Sequence, residues 1–215
     1  MATRAETAPT GGAAAGRNAQ RTRERILRAA VAEFGAKGYA GARTAGIAAR
    51  ARVNPQLISY YFGGKRGLLD ELHRRSAETE ATLVPPGGSF AESVTAYVDA
   101  TLDHPDWARL MIWQALGDDP DAAEVAGDRS AAQAVKLREA LERVRHRQRA
   151  GELTTEVEAE VLLLLAYAVA FAPIAMPQIV AGIFQTDPGS ADYRRRCLAG
   201  LFTLVTADRH PRSDT

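Results

Sequence analysis

Residues 43–69 read RTAGIAARARVNPQLISYYFGGKRGLL, and this stretch decides the fold. Thr44 is a good N-cap for a short helix in which Ile47, Ala48 and Ala51 make a narrow apolar stripe. Val53 fills the turn that follows. Asn54 caps a second helix opening on Pro55, a position where the missing N–H costs nothing. Ile58 and Phe62, four apart, face inward together, which spreads Gln56, Leu57, Ser59, Tyr60 and Tyr61 over the remaining surface. Gly63 and Gly64 stop that helix. Lys65 opens a third at the positive pole of its dipole, a poor place for a lysine in helix terms and a useful one for holding phosphate. Two short helices around a tight turn, the second polar and aromatic, form a helix-turn-helix.

These residues resemble the DNA-binding module of the tetracycline-repressor (TetR) family of bacterial transcription regulators. The resemblance is carried by Thr44, Ile47-Ala48 and Ala51, Val53, Asn54, Tyr61-Phe62 and Lys65. The preceding RERILRAAVAEFGAKGYAGA is similar to that family's first helix and its exit, through Phe34, Gly38 and Tyr39. It covers roughly residues 20–75, about a quarter of the chain. Two positions depart from the pattern: Arg52 stands where a turn glycine is usual, and Ser59 where an aromatic is usual.

Charge is divided along the chain. Residues 17–75 hold 13 Lys/Arg against 4 Asp/Glu, whereas residues 76–215 hold 13 against 21. A basic module of +9 joined to an acidic one of −8 fits a nucleic-acid reader with a separate second domain, although the net charge is only +1. A lone cysteine, Cys197, excludes an internal disulfide framework and fits a reducing cytosol, so the expected location is cytoplasmic. Residues 1–16 are low in complexity, lack a signal-peptide pattern and read as a disordered tail. Arg17, Arg21, Arg23 and Arg25 crowd the start of the first helix; they lie along DNA phosphates or form a solvated helix terminus. Ile26, Leu27, Ala30, Val31 and Phe34 are its buried stripe.

The rest of the chain reads as helices, with no strand or hairpin signal. A long helix over residues 65–83 connects two modules through Leu68, Leu69 and Leu72, and VPPGG at 84–88 breaks it. Ser89-x-x-Glu92 is a capping box, His104-Pro105 starts a further helix, and Asp119-Pro120 begins a helical region broken at Gly127. Thr155-x-x-Glu158 caps a long apolar helix, and a final helix spans about 187–208. The fold expected is all-α: a tail at 1–16, a helix-turn-helix domain at 17–66, a C-terminal helical domain for ligand binding and dimerisation at 67–208, and a tail at 209–215.

Residues 161–186 contain no charged side chain, which is long enough for a membrane span. Pro173, Pro177 and Gln178 argue instead for burial in a core or between subunits, with kinks that free the carbonyls of Val169 and Pro173. The resemblance implies a homodimer built from the last two long helices, with Val161, Leu198, Leu201, Phe202, Leu204 and Val205 at its interface. It also implies a ligand-responsive C-terminal domain. Trp107, Met111, Trp113, Tyr167, Phe171 and Met176 are the candidate lining, suited to an apolar or neutral aromatic small molecule, although aromatics at helical spacing also make plain core.

No hydrolase, zincin, dinucleotide or P-loop motif is present; GGKRG lacks the Ser/Thr and spacing of the last. No enzyme activity, cofactor or metal is expected. His73, His104, His146 and His210 read as surface residues, and Cys197 as core. The function expected is a DNA-binding repressor released by its ligand, with an activator of the same fold, or a helical enzyme or membrane-associated protein, as alternatives. Its partners would be double-stranded operator DNA, a small-molecule effector and a second copy, and no membrane. Gln56 would read adenine and Leu57 a thymine methyl. Thr44, Tyr60, Tyr61 and Lys65 would hold phosphates, and Asn54 and Pro55 at the helix start are counted with the DNA-binding residues.

Overall fold

The computed structural model describes residues 11–83, 87–117 and 122–206. Among them the regular elements are ten helices: α1 (Gly11–Gly41), α2 (Thr44–Ala51), α3 (Gln56–Phe62), α4 (Lys65–Leu83), α5 (Phe90–Asp103), α6 (Pro105–Ala115), α7 (Ala122–Arg149), α8 (Ala159–Ala175), α9 (Pro177–Phe184) and α10 (Ala191–Val205). A single antiparallel bridge joins Leu153 to Thr206. The all-α expectation holds.

Helix ends follow local chemistry, with corrections. α1 starts at Gly11, so residues 11–16 are helical and only 1–10 lie outside the described residues. The alanines at 13–15 have the highest helix propensity and extend the first helix backward. Gly38, at φ 69°, breaks α1 near its exit. Arg43 rather than Thr44 stands extended before α2, and no side chain caps that end. Arg52 takes the left-handed conformation, φ 52° and ψ 50°, that a turn glycine would adopt without strain. Asn54 caps α3 as expected, its Oδ1 accepting the Gln56 N–H at 2.9 Å. The Ser89–Glu92 capping box is complete.

Farther along, α7 runs unbroken through Gly127, because one glycine costs a helix only about 1 kcal/mol. Thr155 caps nothing; Glu158 precedes α8. α10 begins at Ala191, four residues after the expected start, where the Ser190 hydroxyl accepts the Tyr193 N–H at 3.1 Å. The uncharged stretch is two helices bent by 101° between Ala175 and Pro177. Among the described residues no single helix is long and apolar enough to cross a membrane.

Two cores form. In the first, Ile26, Ala30 and Phe34 of α1 meet Ile47 and Ala48, Ile58 and Phe62, and Leu68, Leu69 and Leu72. The second packs Phe90, Val94 and Val98 against Val144, Leu162 and Ala170. Leu198, Leu201 and Val205 belong to that second core too, each under a tenth exposed, so they are not the exposed interface the sequence suggested. Their spacing marks the inward face of α10; of the residues expected at the interface on that helix, Leu204 is the one that faces outward, 73% exposed.

α6 joins the two halves. It follows the 84–88 break in sequence, yet Leu110 is fully buried in the first core and Trp107 packs against it. Gly35 of α1 lies so close to the Asp106 carbonyl that a Cβ there would collide with backbone. Trp113 donates its indole N–H to the Gly35 carbonyl at 3.2 Å. His73 of α4, half-buried and not on the surface, meets Gln114 of α6. A Gly35→Leu substitution is therefore expected to cost about 1–3 kcal/mol or more by prising α6 off α1, measured as a lower urea midpoint; an unchanged midpoint would contradict this packing.

Candidate nucleic-acid interface and adjoining cavity

α3 buries Ile58 and Phe62, and the turn of Asn54 and Pro55 delivers Gln56, Ser59 and Tyr60 to the surface on its other side. Tyr60 is 79% exposed. Tyr61 is half-buried, its ring edge-on to Tyr60 with centroids 5.0 Å apart. Leu57 is also half-buried and packs on the first core, so only part of its side chain is available to a partner. Thr44 sits half-buried at the start of α2.

The basic residues of this module serve first as caps. A helix leaves its last four carbonyls without donors, and its C-terminus carries partial negative charge. Arg25 of α1 donates to the carbonyls of Ala51 at 2.8 Å and Arg52 at 2.9 Å, closing the end of α2. Arg23 donates to the Tyr61 carbonyl at 3.3 Å and lies over the Phe62 ring at the end of α3. Lys65 donates to the carbonyls of Tyr39 at 2.7 Å and Ala42 at 3.0 Å, with its ammonium 4.3 Å from the centre of the Tyr39 ring. Two of its three N–H donors are thus spent inside the domain, leaving one for a phosphate. For Arg23 and Arg25 this adds a structural role that neither sequence reading contains. No periodicity or motif signals it, because each donor lies 26–38 residues from its acceptor in sequence (23 for Lys65 and Ala42).

Ion pairs fix the orientation of these helices. Glu33, buried on α1, accepts from Lys37 Nζ at 2.6 Å and from Arg50 Nε of α2 at 2.7 Å. Those donors, Lys37 first, hold its carboxyl below the usual range despite burial. A Cβ on Gly46 would strike the Glu33 carboxylate. On α4, Glu71 accepts from Arg74 at 2.9 Å and Arg75 at 3.0 Å, and these bonds, Arg74's first, bring its pKa down to about 2.

A cavity of about 1000 Å³ opens beside this module. Of the expected lining, Trp107, Met111, Tyr167 and Phe171 are present, with Tyr167 and Phe171 stacked at 6.4 Å. Trp113 and Met176 are not part of it: the first is turned to Gly35, and the second is 48% exposed at the α8–α9 bend. Leu27, Arg28 and Val31 of α1 complete one wall, with Leu72 and Arg75 of α4, so the cavity lies at the seam between the halves. Its apolar body ends in charged groups the sequence did not reveal, among them the pair Glu24–Arg75.

Acid sensitivity follows. The Glu71 pKa falls from an ordinary 4.5 to about 2 on folding, so its pairing contributes fully above pH 4.5 and is lost as pH drops toward 2. Allowing for solvent around Arg74, this is worth about 1 kcal/mol. Glu71→Gln is expected to lower stability at pH 7 and to flatten its decline between pH 4.5 and 2; a variant as steep as the wild type over that window would refute the assignment.

Comparison with known proteins agrees with this geometry. Residues 26–72 match the family model described as bacterial regulatory proteins, tetR family. Residues 90–201 match that of the tetracyclin repressor-like C-terminal domain. The chain is 34% identical over 169 residues to the HTH-type transcriptional repressor SCO4008 of Streptomyces coelicolor, spanning 77% of this chain and 84% of the relative. It is 32% identical over 106 residues to the HTH-type transcriptional repressor NicS of Pseudomonas putida, spanning 46% and 50%. The crystal structure of the regulator SCO4942 from Streptomyces coelicolor superposes with a TM-score of 0.65 at 26% identity, over 86% of this chain and 98% of that one. The ketosteroid transcriptional regulator KstR2 of Mycobacterium tuberculosis shares the fold, with a TM-score of 0.64 at 16% identity over 86% and 95%. With a helix-turn-helix and a helical second domain both matched, the chain belongs to the TetR family and is a DNA-binding transcription regulator, not an enzyme.

Proposed function

We propose that this regulator is a cytoplasmic repressor that holds a palindromic operator as a homodimer and releases it when an apolar or aromatic molecule fills the cavity. Two relatives named as repressors support the sign of regulation. The observation that carries the ligand response is the double duty of α6. Its Trp107 and Met111 form cavity wall, while Leu110 and Trp113 of the same three turns hold α1. A ligand that displaces α6 must disturb the reader, and it shifts the equilibrium only by its difference in affinity for the two forms. A hundredfold loss of operator affinity needs about 2.7 kcal/mol of such difference.

DNA reading rests on α3. Gln56 presents an amide suited to adenine, Leu57 its exposed edge to a thymine methyl, and Thr44, Tyr60, Tyr61 and the third donor of Lys65 suit phosphates. One seven-residue helix reads few bases, so specificity calls for two copies on a two-fold site. The surface suited to pairing is apolar and exposed: Val161 (42%) and Leu164 (67%) on α8, and Leu204 (73%) on α10. Such a patch is a liability on a monomer.

Selection of bound duplexes from a random pool is expected to return an inverted repeat. Gln56→Ala should cost about 1–3 kcal/mol and relax one base position in each half-site; the same consensus at the same affinity would refute that contact. Placing glutamate at both Leu164 and Leu204 is expected to give a folded monomer in sedimentation at micromolar concentration. A dimer of undiminished stability would show that pairing uses another face.

A further inference from the structure

A run of ion pairs links the cavity wall to the end of the recognition helix. At the cavity, Arg75 of α4 grips both carboxylate oxygens of Glu24 of α1, at 2.9 and 2.8 Å. The same guanidinium donates its Nε–H to Glu71 Oε1 at 3.0 Å. That oxygen faces Arg23 at 3.9 Å. Arg23 donates to the Tyr61 carbonyl at 3.3 Å and lies 4.9 Å from the centre of the Phe62 ring. Tyr61 and Phe62 are the last residues of α3.

We propose that Arg75, Glu71 and Arg23 are positioning residues through which occupancy of the cavity sets the seating of α3. The inference rests on the repressor reading above and adds the route from cavity to DNA. Arg75 carries donors only, in one rigid planar fork, so it cannot turn one edge to a ligand while keeping the other partners in place. Three of its five N–H donors are engaged, so an oxygen at the edge of an otherwise apolar ligand that takes the place of Glu24, and so turns the plane, draws the Nε–H from Glu71 as well. Glu71 still has Arg74, at 2.9 Å, and swings toward it. Arg23 then loses the anion opposite it and with it the restraint that aims it at Tyr61. α3 has seven residues and cannot hold its own last turn in water, so its C-terminal end loosens there. Tyr60 and Tyr61, the groups suited to phosphate, sit on that turn. Each pair alone would matter little at this exposure; they act together because Glu71 is shared by all three arginines.

The test uses the full chain and a duplex chosen by selection from a random pool, with affinity measured against salt. Arg75→Gln and Arg23→Gln are each expected to weaken binding roughly fivefold, at the low end of known couplings. The double variant should be no weaker than either single one. The salt slope should stay at its wild-type value in all three, since no phosphate contact is removed. Amide exchange at residues 59–63 should quicken in Arg75→Gln, whose side chain touches none of them; Glu71→Gln serves the same purpose should Arg75→Gln fail to fold. Additive penalties, a slope lower by about one unit in Arg23→Gln, or unchanged exchange at α3 in both Arg75→Gln and Glu71→Gln would each overturn the proposal. If the wild type selects no duplex, the repressor reading falls, and the exchange experiment alone still decides whether these ion pairs hold α3.

Discussion

The reading head depends on cations meeting helix carbonyls. α2 and α3 have eight and seven residues, too few to be stable alone, and each ends in carbonyls with no helical donor. Arg25 closes α2, Arg23 closes α3, and Lys65 closes the exit of α1, each reaching from a helix other than the one it closes. A charged donor on a carbonyl is worth about 1.5–3 kcal/mol and also cancels the negative end of the helix dipole. Three helices are thereby locked in mutual orientation before DNA arrives. Much of the +9 excess in this module is structural, and the phosphate-facing part is smaller than the raw count suggests.

The same economy appears at the seam between the two halves. α6 surrenders Leu110 to the first core and gives Trp107 and Met111 to the cavity, so one short helix serves both. Gly35 permits the approach, because any side chain there would strike the Asp106 carbonyl. The cavity is consequently walled in part by α1, the first helix of the DNA-binding domain, and not by the C-terminal helices alone.

What was legible in the sequence was local. Ile47, Ala48, Ile58 and Phe62 announce their burial by helical spacing, Asn54 and Ser89 announce helix starts, and Gly63 a stop. Trp107, Met111, Tyr167 and Phe171 line the cavity because large apolar side chains on α6 and α8 have few places to go in a bundle. The failures were long-range. Leu198, Leu201 and Val205 have the right spacing for an interface, but spacing cannot say which of two apolar faces of α10 meets the chain's own core. Trp113 was misplaced because its indole partner, the Gly35 carbonyl, lies 78 residues away. The carbonyl partners of Arg23 and Arg25 escape a reading by spacing for the same reason.

The central claim is that these cations are part of the scaffold, and Arg25 tests it most directly because it lies on two carbonyls of the α2 end. Urea unfolding and the salt dependence of DNA binding should be measured together for Arg25→Gln. The account predicts a stability loss of about 1.5–3 kcal/mol with the salt slope unchanged. Unchanged stability with a slope reduced by about one unit would make Arg25 a phosphate contact and contradict it.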